Sequence, residues 1–232
     1  MPVKSLSRGA DSPLLLLLRR LVIGAAIFSI VACSGHTPPS AVFASGYISD
    51  SGIVRLWRKD DAQQDTIRLI SVYNPFQGDG TVVTRYLYQQ GNVREIKRTL
   101  EARKDDTQIR FAEDGAVSFM QRQLAERRES ISDDDIALYQ WDAQRARELS
   151  DVLQAGNVIL RQGALQGDQV TTCDGSRIRP DFDQSSQDWI AQKRQQLTGP
   201  LSIAWLEASE GTQLLLVDRG DFCRWDAEAN RL

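Results

Sequence analysis

Histidine is nearly absent from this chain, because its 232 residues include only one, His36. That residue lies in a short polar stretch near the N-terminus, outside the strand and helix patterns described below. Ser-His and Cys-His nucleophile systems need an imidazole beside the nucleophile, and zinc sites commonly use histidine ligands. The sequence therefore excludes these chemistries from the folded part of the chain.

Sequence motifs of several other enzyme classes are missing as well. The chain contains no G-x-S-x-G, no phosphate-binding loop, no dinucleotide-binding G-x-G-x-x-G and no S-x-x-K. A general acid–base pair of carboxylates leaves no such spacing in one sequence, so that chemistry stays open. We accordingly assign no catalytic residue, no cofactor and no metal ligand.

An excess of positive charge is also lacking. The whole chain has a net charge of −3, and its first 32 residues hold four basic residues and one acidic residue. The remaining 200 residues therefore carry a net charge of −6. Nucleic-acid binding depends on clustered Lys and Arg side chains that neutralise phosphates. We therefore expect no nucleic-acid partner.

Long apolar runs are confined to the N-terminal region. Lys4, Arg8, Arg19 and Arg20 make the start of the chain basic, and an apolar run follows over residues 21–32. A membrane-spanning helix needs about 20 apolar residues. Extending this run across Arg19 and Arg20 would cost about 2.5–3.5 kcal/mol for each of them. Residues 1–32 are therefore predicted to be a signal peptide and not a membrane span.

The end of this run, Ile30-Val31-Ala32 followed by Cys33, resembles the lipobox of bacterial lipoprotein signals. The resemblance implies cleavage before Cys33 and a thioether diacylglycerol on its sulfur that holds the protein on a membrane. An ordinary secretory leader with a chance cysteine is the alternative. Because residue 34 is Ser and not Asp, the resemblance also implies the periplasmic face of the outer membrane. Residues 33–42 are predicted to be the lipidated cysteine and a tether that reaches about 30 Å.

The chain has three cysteines, and lipid on Cys33 leaves Cys173 and Cys223. An exported domain enters an oxidising compartment, where two remaining cysteines favour one disulfide bond. Two reduced thiols in separate places are the alternative. A metal site would lack a nearby histidine to complete its ligand set.

Residues 43–232 are expected to form a single α+β domain with mainly antiparallel strands. In its first part, 43–128, turn residues such as Asp114-Gly115 separate segments rich in aromatic and β-branched residues, which predicts successive hairpins of one sheet. Alternating charge on these strands predicts one solvated face. The second part, 129–232, is predicted to combine helices with short strands.

Two helices are predicted in the C-terminal half of the chain. Residues 133–155 show the three-to-four spacing of a buried helical stripe. Ser132 suits the N-cap position of this helix, and Gly156 suits the C′ position that ends it. A shorter helix is predicted over about residues 184–197, before Gly199-Pro200.

Two acidic clusters could hold a hard cation. Asp133-Asp134-Asp135 would occupy consecutive helix positions that face different directions, so helix capping is favoured over a cation site. Asp181 and Asp183 resemble the start of a calcium loop, but the glycine at position six and the glutamate at position twelve are missing. A solvated loop before a helix is therefore predicted.

Tryptophan is frequent, with five residues in the chain. Their large apolar area suits core packing. Trp57 and Trp225 have charged neighbours in the sequence, and they could instead form a stacking surface for a ligand.

The lipobox leader, the chain length, the lack of catalytic motifs and the turn Thr172-Cys173-Asp174-Gly175 together resemble the YjaH-like family of enterobacterial and vibrio lipoproteins. The resemblance covers most of the chain in outline. It implies no active site, because that family has no assigned function. We therefore expect a non-enzymatic binding or structural role in the cell envelope, with another envelope protein as partner. A carboxylate-dependent hydrolase that acts on cell-wall glycan or peptide is the alternative.

Overall fold

Successive hairpins build the first sheet. The computed structural model describes residues 41–78 and 80–232. Strands β1 to β8 lie side by side in chain order, and every neighbouring pair is antiparallel, as the hairpin pattern predicts. Gly91 and Gly115 have positive φ angles in two of the turns, which glycine adopts without strain. The strands are β1 (Phe43–Ser49), β2 (Gly52–Asp61), β3 (Thr66–Pro75), β4 (Val82–Gln89), β5 (Asn92–Leu100), β6 (Asp105–Phe111), β7 (Val117–Gln123) and β8 (Arg128–Glu129).

A second, five-stranded sheet follows in the chain. Its strand order is β11-β10-β9-β12-β13, and its pairs are antiparallel. The central pair joins β9 to β12 and places Leu165 opposite Leu201. The strands are β9 (Ile159–Gln166), β10 (Gln169–Thr172), β11 (Arg177–Ile178), β12 (Leu201–Ala208) and β13 (Gly211–Arg219).

The described residues also form three helices, α1 (Asp133–Ala155), α2 (Gln184–Gln196) and α3 (Arg224–Ala229). The first two confirm the sequence predictions. At their N-caps, the Ser132 hydroxyl accepts the N–H of Asp135 at 3.1 Å, and the Asp183 carboxylate accepts the N–H of Ser186 at 2.8 Å. The sequence did not predict α3.

The end of α1 differs from the prediction in one detail. Gly156 keeps a helical φ of −77°. The left-handed residue is Asn157, with a φ of 50°, because the short polar side chain of Asn tolerates that region. The N–H of Val158 then bonds back to the Leu153 carbonyl at 3.0 Å and closes the helix.

The two sheets and the two longer helices stack in four layers. One face of the first sheet packs on α1 through residues such as Ile96 and Ile136. The opposite face packs on the second sheet through Trp57 and Leu206. The outer face of the second sheet packs on α2 around Ile190. The class is α+β, as predicted. Within the described residues, no helix combines the length and the apolar character needed to cross a membrane.

The expectation of one solvated face is wrong for β2. Arg55 is 2% exposed and Arg58 is 7% exposed, although they lie on opposite sides of this strand. Arg55 donates to Gln162 Oε1 of the second sheet at 3.1 Å, and Arg58 donates to the Ser150 hydroxyl of α1 at 2.9 Å. Both faces of β2 are therefore covered, and each buried guanidinium has a partner in the covering layer.

Candidate binding surface

Strand β7 is open along most of its outer edge. Strand β8 pairs only with the last two residues of β7. Within the described residues, no strand therefore covers positions 117–121 on the side away from β6. We call these five positions the β7 edge. Leu124 donates to the Arg127 carbonyl across the β7–β8 hairpin at 2.8 Å. Because backbone groups alternate in direction along an antiparallel strand, the N–H and C=O of Met120 also point to the open side.

Apolar side chains are exposed at the β7 edge. The exposed fractions are 39% for Val117, 39% for Phe119 and 48% for Met120. The Arg110 guanidinium, opposite Phe119 in the register, lies 5.3 Å from the centre of the aromatic ring. Because neighbouring residues point to opposite faces of a strand, Phe119 and Met120 offer apolar contact on both sides of the sheet.

The face of the first sheet beside the β7 edge is polar, and among the described residues no apolar cluster covers it. The apolar cluster between the two sheets includes residues of β2, β3 and β4 but none of β5–β7. On the same face, the register aligns Arg85, Lys97, Gln108 and Gln121 in one row across four strands. This row borders a shallow depression of about 320 Å³. The solvated face that the alternating charge predicted for the first sheet is therefore present at β5–β7.

The disulfide predicted between Cys173 and Cys223 is present, with Cα atoms 5.2 Å apart. It joins the turn after β10 to the N-cap residue of α3. A carboxylate oxygen of Asp226 and the two sulfur atoms all lie within 4.8 Å of one another. Because the sulfur atoms are bonded to each other, they are not thiolate ligands for a metal.

A partly buried polar network lies next to the disulfide and joins the two sheets. Asp226 accepts hydrogen bonds from Trp57 Nε1 at 2.6 Å and from Gln162 Nε2 at 2.8 Å. Gln162 Oε1 in turn accepts the hydrogen bond from Arg55. Burial, and then the nearby Arg224 charge, lowers the pKa of Arg55 to about 10, while the Asp226 carboxylate opposes this shift. The network holds the layers together through hydrogen bonds that have replaced those to water.

The carboxylates of Asp174 and Asp226 line a cleft of about 260 Å³ beside the disulfide. Asp174 accepts hydrogen bonds from the Thr172 hydroxyl at 2.5 Å and from the Ser176 N–H at 2.9 Å. These bonds lower the pKa of Asp174 to about 2. A glycan hydrolase needs one carboxylic acid whose pKa is raised, so that it can donate a proton. The pKa of Asp174 is shifted in the opposite direction.

The acidic clusters singled out in the sequence lie at helix starts. Asp135 shares the N-cap hydrogen bonds of α1 with Ser132, and Asp183 caps α2. These contacts favour the capping interpretation. Cys33 and His36 lie outside the described residues, so lipidation of Cys33 stays a prediction.

Core packing accounts for three of the five tryptophans. Trp57, Trp205 and Trp225 are at most 4% exposed, so the stacking-surface interpretation is wrong for Trp57 and Trp225. Trp141 on α1 and Trp189 on α2 are 56% and 45% exposed. A basic side chain of the same helix lies over each of these two rings.

Sequence reasoning did not identify the β7 edge. The available signal is a segment with apolar residues and no charge, Val117-Ser118-Phe119-Met120. Taken alone, that segment has the composition of an ordinary strand.

The chain matches, over residues 44–228, the family described as "Protein of unknown function (DUF1481)". Since the match covers most of the chain, the chain belongs to this family. It is 37% identical over 227 residues to the "Uncharacterized protein YjaH" of Escherichia coli (strain K12), in an alignment that covers 96% of this chain and 97% of that protein. The resemblance to a YjaH-like family is thereby confirmed. No solved structure matches the chain.

Proposed function

We propose that the protein is an outer-membrane lipoprotein, anchored on the periplasmic face through lipid on Cys33, that holds another envelope protein at its β7 edge. The lipobox of residues 30–33 supports the anchor. The disulfide between Cys173 and Cys223 supports export, because such bonds persist in the periplasm and are rare in the cytosol. The short tether keeps the domain within about 30 Å of the membrane. The partner therefore lies close to the membrane as well.

The open β7 edge is the observation that carries the binding role. Proteins usually protect an unpaired strand with charged residues, proline or a covering segment. Positions 117–121 contain no charged residue and no proline. An extended segment of the partner would pair with the backbone of Met120 and cover Phe119, as in strand addition to a sheet edge.

Site-specific photo-crosslinking in intact cells tests this binding role. A photoreactive residue at Phe119 should give a discrete adduct, whereas the same residue at the exposed turn position Glu210 should not. Met120→Pro removes the outward N–H and should abolish the adduct, while Met120→Leu keeps the N–H and should retain it. Equal adducts at both positions, or an adduct that survives Met120→Pro, would exclude the β7 edge. The melting temperature of each purified variant shows whether its fold is kept.

Palmitate labelling tests the anchor separately. Cys33→Ser should remove the label and leave the leader uncleaved. Cys223→Ser, which changes a cysteine outside the lipobox, should keep the label. Labelling of Cys33→Ser at the wild-type level would refute the anchor.

A hydrolase acting on cell-wall glycan or peptide is the competing hypothesis, and the cleft of Asp174 and Asp226 is where it would act. Incubation of the purified protein with cell-wall material, followed by separation of the products, tests it. Products that disappear in Asp174→Asn or Asp226→Asn would favour the hydrolase. Unchanged cell-wall material would favour the binding role.

A further inference from the structure

A cavity of about 470 Å³ lies on the outer side of the second sheet, away from the β7 edge. The β9–β10 hairpin, the loop of residues 179–182 and one face of α2 enclose it. That helix face presents Gln187, Ile190, Ala191 and Arg194, which the helical repeat places on one side. The volume falls in the range of small-molecule sites, about 300–1,000 Å³.

The floor of the cavity is apolar and belongs to the core between the second sheet and α2. Val170 is 1% exposed, and Phe182 and Ile190 are each 8% exposed. The Phe182 ring packs edge-on against the fully buried Trp205, with ring centres 6.0 Å apart. Because these side chains are fixed by core packing, the floor is formed before any ligand arrives.

The rim of the cavity carries charges of both signs. Asp168 and Arg179 form an ion pair with each other. Arg194 donates from Nη2 to the Gly167 carbonyl, which leaves the other N–H groups of its guanidinium for a ligand. Asp181 makes no hydrogen bond or ion pair with any other described residue. The cavity therefore offers a cation and an unpartnered carboxylate above an apolar floor.

We propose that this cavity binds a zwitterion of the amino-acid or short-peptide class. Its ammonium group lies toward Asp181, its carboxylate toward Arg194 and its apolar side chain on Phe182. The rim carries two carboxylates and two guanidiniums, which favours a ligand with one charge of each sign. The carboxylates would repel a polyanion, and the guanidiniums would repel a polycation. A wholly apolar ligand would desolvate the rim charges without replacing their partners. Arg pairs well with carboxylates because its N–H groups match both oxygens. This inference is independent of the β7 edge.

Calorimetric titration of the full-length protein in detergent with the dipeptide Leu-Ala tests the ligand class. The dipeptide with both free termini should bind, and forms capped at the amine, at the carboxylate or at both should each bind at least tenfold more weakly. The terminus of a protein chain offers only one of the two charges. Equal binding by either singly capped form would therefore overturn the zwitterion proposal, and so would the absence of any Leu-Ala binding.

Variants place the binding in this cavity. Arg194→Gln and Asp181→Asn should each weaken Leu-Ala binding about tenfold, because each removes one charge-assisted hydrogen bond. Ala191→Trp should fill the cavity and abolish binding. Arg219→Gln and Asp218→Asn are matched controls at an exposed end of β13, and they should bind like the wild type. Wild-type affinity in Arg194→Gln or Ala191→Trp would overturn the proposal.

Discussion

The disulfide between Cys173 and Cys223 is expected to supply a large share of the domain's stability. The perturbation is the double variant Cys173→Ala, Cys223→Ala. The bond joins residues separated by 50 positions, and the chain-entropy relation gives about 4 kcal/mol at 25 °C for a loop of that length. Domains have a total free energy of unfolding of about 5–15 kcal/mol. The loss is therefore large enough to be measured directly.

The loss of order should be uneven across the fold. The closed loop, residues 173–223, contains α2, β12 and β13. The core between the first sheet and α1, around Ile96 and Ile109, includes no residue of that loop. Removing the bond should therefore loosen the second sheet and α2 first, while the first sheet and α1 stay folded.

Urea unfolding followed by circular dichroism measures the size of the effect, and hydrogen–deuterium exchange measured by mass spectrometry locates it. The double variant and the reduced wild-type protein should agree, which separates loss of the bond from any repacking around alanine. Amides of β12 and β13 should lose protection while those of β5 and β6 keep it. A difference below about 1 kcal/mol, well under the usual range for a native disulfide, or a uniform loss of protection would refute the reasoning.

Two further predictions concern single residues. Asp105 accepts paired hydrogen bonds from Arg122 at 2.7 and 3.1 Å, which lower its pKa. We expect Asp105→Asn to lower the free energy of unfolding by about 1–2 kcal/mol, a value between those typical of exposed and of buried ion pairs. Because the folded pKa of Asp105 is depressed, this stability is present above the unfolded pKa of about 3.9 and is lost as pH falls through the folded value. Urea unfolding in which the wild type and Asp105→Asn differ by the same free energy from pH 7 to pH 2 would contradict this. A Cβ on Gly163 would lie 2.2 Å from the Thr171 carbonyl, so Gly163→Ala should destabilise by about 1–3 kcal/mol. Gly156→Ala, whose nearest contact is 3.4 Å, should melt near the wild-type temperature, and equal melting of the two variants would disprove the close contact.

Local signals explain why much of the fold could be predicted. A helix start depends on a few neighbouring residues, and Ser132 and Asp183 both make the N-cap hydrogen bonds that their positions predict. Hairpins also depend on short turns, so the order of the first eight strands follows from the turn residues between them. Predicting the disulfide required only the number of cysteines and the inferred oxidising compartment.

Long-range contacts explain what could not be predicted. The cover over the Arg55 side of β2 depends on the pairing of β9 with β12, and these strands are separated by β10, β11 and α2 in the chain. Arg55 therefore looks like a solvated residue in the sequence and is buried in the fold. The short α3 escaped prediction because six residues give too little periodicity to distinguish it from a turn.

The β7 edge follows from the different widths of the two sheets. The second sheet packs over β2, β3 and β4 of the first sheet, while α1 packs on the opposite face. Strands β5 and β6 therefore extend beyond the second sheet with one face exposed, and β7, which contributes no residue to either core, has exposed apolar side chains on both faces. Among the described residues, β8 pairs with only two residues of β7, and the edge is unpaired where Phe119 and Met120 are exposed. Closing this edge would need only a longer β8, a small change in a sheet built of hairpins. An unpaired edge of this kind is where the proposed partner would add an extended segment to the sheet.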